Sequence, residues 1–136
     1  MRKLDERVYN AIKRLDEYFG KHKYVICGSV GLYIQGIYLG REPHDLDLII
    51  LDKPLQAVKR LFRIAYKQSG FMLDFPKRPL EGNECIITAE FQGLSVRVQS
   101  KEDILKCKQI IVKNHLYYDK GEMKQKQDIE KLKDII

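Results

Sequence analysis

No apolar stretch in this chain reaches the roughly 18 to 20 residues that a membrane-crossing helix requires, so no membrane partner is expected. The first residues, Met1-Arg2-Lys3-Leu4-Asp5-Glu6, are charged and lack the apolar centre of a signal peptide. Cysteine is scarce. Cys27, Cys85 and Cys107 are odd in number and far apart, which argues against a disulfide framework or a zinc-type pairing. That usage fits a reducing, cytoplasmic setting. Internal repeats, linkers and low-complexity segments are missing, so one domain over 1–136 is expected. Hydrophobic residues at 44% and charged residues at 32% exclude disorder and collagen-like chains. The length of 136 residues is enough to close a core without disulfides or a structural metal.

Acidic residues are the minority charge: 19 Asp and Glu stand against 25 Lys and Arg, giving a formal +6. The excess is local. Residues 51–80 hold seven bases, among them Lys59, Arg63 and Lys67 at four-residue spacing, against Asp52 and Asp74. The simplest reading is a solvated helix face. The competing one is an anionic partner for the basic segment 53–78, either RNA or an acidic, toxin-like protein. No aromatic residues interleave that face to support single-strand stacking.

Leu4, Val8, Ala11, Ile12, Leu15 and Phe19 recur at helical spacing, which predicts a helix over about 3–20. Tyr24-Val25-Ile26-Cys27 reads as a buried strand before Gly28-Ser29, and Val30 to about Leu39 as a helix. Asp45 to Leu51 reads as a strand with Asp45 and Asp47 on one face and Leu46 and Leu48 on the other. Pro54 to about Ser69 suits a helix, Phe71 to Phe75 a short strand, and Pro76 to Asn83 a loop. Two alternating runs joined by Gln92-Gly93 predict a hairpin. Ser100 and Asp103 resemble a capping box for a helix ending near Lys113, closing a core of about 24–113. A last helix is expected over about 123–136, burying Ile129, Leu132 and Ile135 or Ile136. The order is that of one mixed α/β domain, a β-sheet flanked by helices.

The informative stretch is Gly28 to Ile50. A strand ends and a helix begins at Gly28-Ser29, so free backbone N–H groups meet there, an arrangement that favours phosphate. Gly28 permits close approach of the backbone, and the Ser29 hydroxyl can cap the helix and donate to a phosphate oxygen. Asp45 and Asp47, with only Leu46 between them, make a hard-oxygen site suited to Mg²⁺. A phosphate cradle beside a divalent-metal site is what phosphoryl or nucleotidyl transfer requires. An Asp-x-Asp pair also serves sugar-nucleotide glycosyltransferases and haloacid-dehalogenase-type phosphatases. The latter place it after an apolar strand, whereas Arg41-Glu42-Pro43-His44 precede it here.

The run Val25-Ile26-Cys27-Gly28-Ser29, a helix, then Gly40-Arg41 and Asp45-Leu46-Asp47-Leu48 resembles the DNA polymerase beta-like nucleotidyltransferase superfamily. Within it, the chain is similar to the minimal prokaryotic and abortive-infection or antitoxin-type members. The resemblance is dense over 24–51 and thinner over 84–136, where Lys124 and Asp128 match a Lys-x-x-x-Asp on the last helix. It implies a nucleotidyltransferase fold and NTP as co-substrate, ATP among the candidates, with two Mg²⁺ ions. Gly28, Ser29 and Arg41 would bind nucleotide, and Asp45 and Asp47 the metal; apart from the resemblance, Lys106 and Lys108, on the helix after the hairpin, are placed to reach a triphosphate or to be plain surface lysines. The resemblance also implies a third carboxylate on a neighbouring strand. Glu90, placed by alternation with Ile86 and Thr88, is the expected one, as metal ligand and as base toward the acceptor hydroxyl; Glu84 is the other acid on that strand. The acceptor could be protein, RNA or a small molecule. The alternative is a nucleotidyltransferase-fold binding module or antitoxin without catalysis. Cys27 reads as a small core residue, and Tyr117-Tyr118 as packing or base-stacking groups.

Overall fold

The computed structural model describes residues 3–51, 71–74, 85–115 and 121–136. The basic helix expected over 54–69, the loop over 76–83 and Tyr117-Tyr118 lie outside these residues. Among the described residues four helices accompany a five-stranded mixed sheet. The elements are α1 (Lys3–Phe19), β1 (Tyr24–Cys27), α2 (Gly28–Ile34), β2 (Asp45–Ile50) and β3 (Met72–Asp74). They continue as β4 (Ile86–Phe91), β5 (Leu94–Gln99), α3 (Lys101–Lys113) and α4 (Gly121–Ile135).

The strands lie in the order β3-β2-β1-β5-β4. β1 and β2 are antiparallel, with Cys27 opposite Asp47 and Ile26 opposite Leu48. β3 runs parallel to β2, and β5 parallel to β1. β4 and β5 form the expected hairpin, turning at Gln92 and Gly93 with φ of 50° and 82°. Two consecutive positive φ values match the turn whose twist suits a two-residue hairpin.

The α1 periodicity is realised: Leu4, Val8, Ala11, Ile12, Leu15 and Phe19 are all buried. They pack on Tyr24, Ile26, Leu46, Leu48, Val96 and Val98 from the sheet and on Val30 and Ile34 of α2. A second cluster joins Leu32, Ile37, Leu39, Ile104 and Leu132. α2 therefore stands between two cores, one under the sheet and one under α3 and α4.

Three details depart from the sequence reading. α2 begins at Gly28 and stops at Ile34, short of Leu39, because the chain turns at Gly36 with φ of 86°. The Gln35 side chain ties that end down: its Nε2 donates to Gly31 O at 3.0 Å and Gln99 O at 2.8 Å, and its Oε1 accepts from Lys101 N. Ser100 caps α3 as expected by accepting from Asp103 N, but the Asp103 carboxylate accepts from Gln99 Nε2 at 2.6 Å instead of returning to the cap. In α4 Ile129 and Leu132 are buried, whereas Ile135 and Ile136 are exposed at the free end of the helix.

Candidate functional site

The site starts from the antiparallel pairing of β1 and β2. Because Cys27 lies opposite Asp47, the Asp47 side chain stands over the turn into α2. Gly28 adopts φ +63°, and a Cβ there would sit 2.2 Å from Asp47 Oδ2. Glycine is thus required for two reasons, backbone conformation and space. Gly28 N–H donates to Gln99 Oε1 at 3.3 Å, which ties the turn to β5. Ser29 is not the cap: Cys27 holds the N-cap position without a side-chain hydrogen bond, and Ser29 lies in the first turn. There it is half-buried and faces a cavity.

The chain from Gly36 to His44 forms the opposite lip. Its anchors are Ile37 and Leu39 in the second core and two contacts from α4. Lys131 Nζ donates to Leu39 O at 2.5 Å. Arg41 Nη2 donates to Asp128 Oδ2 at 2.5 Å, and Lys108 Nζ of α3 donates to the same oxygen at 2.9 Å. Asp128 is fully buried. Burial alone would raise its pKa, but the hydrogen bonds and positive charge of Arg41 and Lys108 outweigh it and hold the carboxyl below its ordinary value.

The resulting cavity, of about 490 Å³, is lined by Gly28, Ser29, Arg41, Asp45, Asp47 and Lys108. Six residues named from the sequence, drawn from α2, the following loop, β2 and α3, therefore share one space. Lys124, at the start of α4, and Tyr38, exposed beside Tyr33, line it as well. Their roles were not assigned from the sequence. Lys124 was visible only as half of a Lys-x-x-x-Asp motif, and Tyr38 carried no signal. Carboxylates (Glu42, Asp45, Asp47) and cations (Arg41, Lys108, Lys124) both line the cavity, a combination that complements a metal-chelated polyphosphate.

Glu90 does not join this group. It is exposed on β4, the outer strand, with β5 and β1 between it and β2. At the usual strand spacing that is a lateral gap of roughly 14 Å. The neighbour of β2 on its other side is β3, where Asp74 is in register with Asp47. Alternation placed Glu90 on a face but could not order the strands. The signal missed was Asp74 itself, an acid in the short apolar run after Phe71.

Two of the three cysteines, distant in sequence, meet at Asp103. Cys85 Sγ lies 3.3 Å from Asp103 Oδ1, Cys107 Sγ 3.8 Å from Asp103 Oδ2, and Gln99 Nε2 3.3 Å from Cys107 Sγ. Burial, then the negative charge of Asp47, Cys107 and Asp103, pushes the Cys27 thiol far above its ordinary pKa. Burial and this negative charge hold Cys27 as a neutral thiol.

Among the described residues no group of three or more His, Cys, Asp or Glu side chains is arranged to hold a metal ion. Asp45 and Asp47 supply two carboxylates on an open cavity. Such a pair fits Mg²⁺, which keeps several waters and is held by one or two carboxylates together with substrate phosphates. No helix among the described residues is long and apolar enough to cross a membrane. In comparisons with known proteins, no protein-family model, curated protein or solved structure matches the chain.

Proposed function

We propose that the protein is a Mg²⁺-dependent nucleotidyltransferase that moves a nucleoside monophosphate from an NTP to a hydroxyl of an acceptor, releasing pyrophosphate. The observation that carries this reading is the convergence of Gly28, Ser29, Arg41, Asp45, Asp47 and Lys108 on one cavity. Mg²⁺ held at Asp45 and Asp47 would supply charge neutralisation at the transferring phosphorus. The Ser29 hydroxyl would hold a phosphate oxygen, and Gly28 leaves room for the Asp47 carboxylate over the turn. Arg41 and Lys108 take the polyphosphate tail. For the third acid, β3 beside β2, with Asp74 paired in register with Asp47, is the strand this reading takes in place of β4 and Glu90. The fold class implied is the nucleotidyltransferase fold, and the acceptor is a protein, RNA or small molecule.

A second reading is a nucleotide-binding module or antitoxin without transfer, which needs only the cavity and the two carboxylates Asp45 and Asp47 that line it. Calorimetric titration of NTP with and without Mg²⁺, on the native chain and on an Asp45→Asn/Asp47→Asn variant, tests the shared premise. Metal-dependent binding lost in the variant is expected; no such binding by the native chain removes both readings. Pyrophosphate release in the presence of candidate acceptors then separates transfer from binding alone.

A further inference from the structure

Asp128 is fully buried, yet the proposed reaction gives it no task. Its Oδ2 accepts from two cations on separate elements, Arg41 in the α2–β2 loop and Lys108 on α3, while its Oδ1 is buried without a hydrogen-bond partner. A carboxylate serving only to pair with arginine commonly takes a fork on both oxygens. Here both cations meet one oxygen. Arg41 thereby commits one of its five N–H donors, and Lys108 commits two of three, to Asp128 and to Gln125 Oε1 at 3.1 Å. The remaining donors belong to side chains that line the cavity. One negative charge stands against two positive ones, with Lys108 only 10% and Arg41 34% exposed. Water screens such a centre poorly, so its surplus positive charge favours an anion in the cavity.

The geometry points to Asp128 as a positioning residue: from behind the cavity wall it holds Arg41 and Lys108 on one spot, where they seat the polyphosphate tail of a nucleotide. This rests on the nucleotide reading above. Docking of α4 does not by itself call for the arrangement, since Ile129 and Leu132 already bury its apolar side. The sign of the effect separates positioning from simple electrostatics. Removing the Asp128 charge makes the wall more positive, so Coulomb attraction alone would tighten anion binding; loss of position weakens it.

The test uses the full chain with Mg²⁺ and inorganic tripolyphosphate, and in parallel ATP, by calorimetry. Asp128→Asn is expected to weaken tripolyphosphate binding by about 10- to 100-fold, the usual effect of removing a group that orients a binding group. Added to an Arg41→Gln/Lys108→Gln background, it is expected to change binding by less than about twofold, because it acts through those two residues. Leu132→Ala loosens the same helix from its apolar side and serves as the control, compared where thermal melts show both variants folded. Should Asp128→Asn not fold, Asp128→Glu carries the same test, since it keeps the charge and displaces the oxygen. Unchanged or tighter binding in the Asp128 variants, or an equal loss in Leu132→Ala, overturns the positioning role and leaves the nucleotide reading standing. Absence of tripolyphosphate and ATP binding by the native chain overturns both.

Discussion

The Asp47 carboxylate lies so close over Gly28 that a single added carbon at Gly28 would come within 2.2 Å of Oδ2. Gly28 opens α2 directly after β1, Asp47 lies on the antiparallel neighbour β2, and the pairing of Cys27 with Asp47 brings them together. The backbone turn at Gly28 and the Asp47 carboxylate are therefore one unit. Gly28→Ala tests this. At φ +63° an alanine costs about 1–2 kcal/mol, and the clash forces the Asp47 carboxylate to move. The expected variant is folded, melts a few degrees lower, and binds Mg²⁺–NTP at least about tenfold more weakly. Calorimetry beside a thermal melt checks it, and intact affinity would show that Asp47 does not need its observed position.

Much of this unit was legible in the chain. The Gly28-Ser29 turn and the Asp45/Asp47 pair are local features: residue type and a period of two suffice to place them. The same holds for α1, whose apolar stripe reads directly as its buried face. What sequence spacing could not give was strand order. Glu90 and Asp74 are both acids in apolar strands, and only the sheet order, with β3 beside β2 and β4 at the far edge, separates them. The C-terminal half of the site was hidden for a related reason. Asp128 meets Arg41 across 87 residues and Lys108 across 20, contacts that depend on how α4 docks. The meeting of Cys85 and Cys107 at Asp103 is equally a product of packing.

Asp128 gives stability a defined acid limb. Burial would raise its pKa, but Arg41 and Lys108 lower it below the ordinary 3.8, so the unfolded chain takes up this proton before the folded one. Its contribution is complete above the unfolded value and is lost as pH falls through the folded value. Urea midpoints of the native chain and Asp128→Asn, measured from pH 7 to 3, are expected to keep a constant gap down to about pH 5. Below about pH 4 the gap narrows as the native chain loses this term. Parallel curves throughout would show that the contacts of Asp128 with Arg41 and Lys108 contribute nothing that titrates.

Thiol chemistry should follow burial and charge. Cys27 and Cys85 are buried, while Cys107 is partly exposed. The Cys27 thiolate is further disfavoured by Asp47 and Asp103. Alkylation of the native chain at mildly alkaline pH, read by peptide mass spectrometry, is expected to mark Cys107 first and Cys27 last. Addition of denaturant should make the three equivalent. Early labelling of Cys27 in the native chain would mean that the β1–α2 turn opens.

The last prediction concerns the two rival acids. Asp74 is in register with Asp47 on the adjacent strand, whereas Glu90 is exposed three strands from β2. Electrostatic coupling to a metal held at Asp47 falls with distance and with solvent screening, and a carboxylate roughly 14 Å away in water is more than a Debye length off at physiological salt. Glu90→Gln is therefore expected to leave Mg²⁺-dependent NTP binding and transfer within about twofold of native. Asp74→Asn is expected to reduce transfer by about 100-fold or more, as loss of a metal-ligating or base carboxylate does. Both variants are compared with Asp47→Asn in the same assay. A loss confined to Glu90→Gln would mean that the working strand order differs from β3-β2-β1-β5-β4. Indifference to both, with binding intact, would favour the binding module over the transferase.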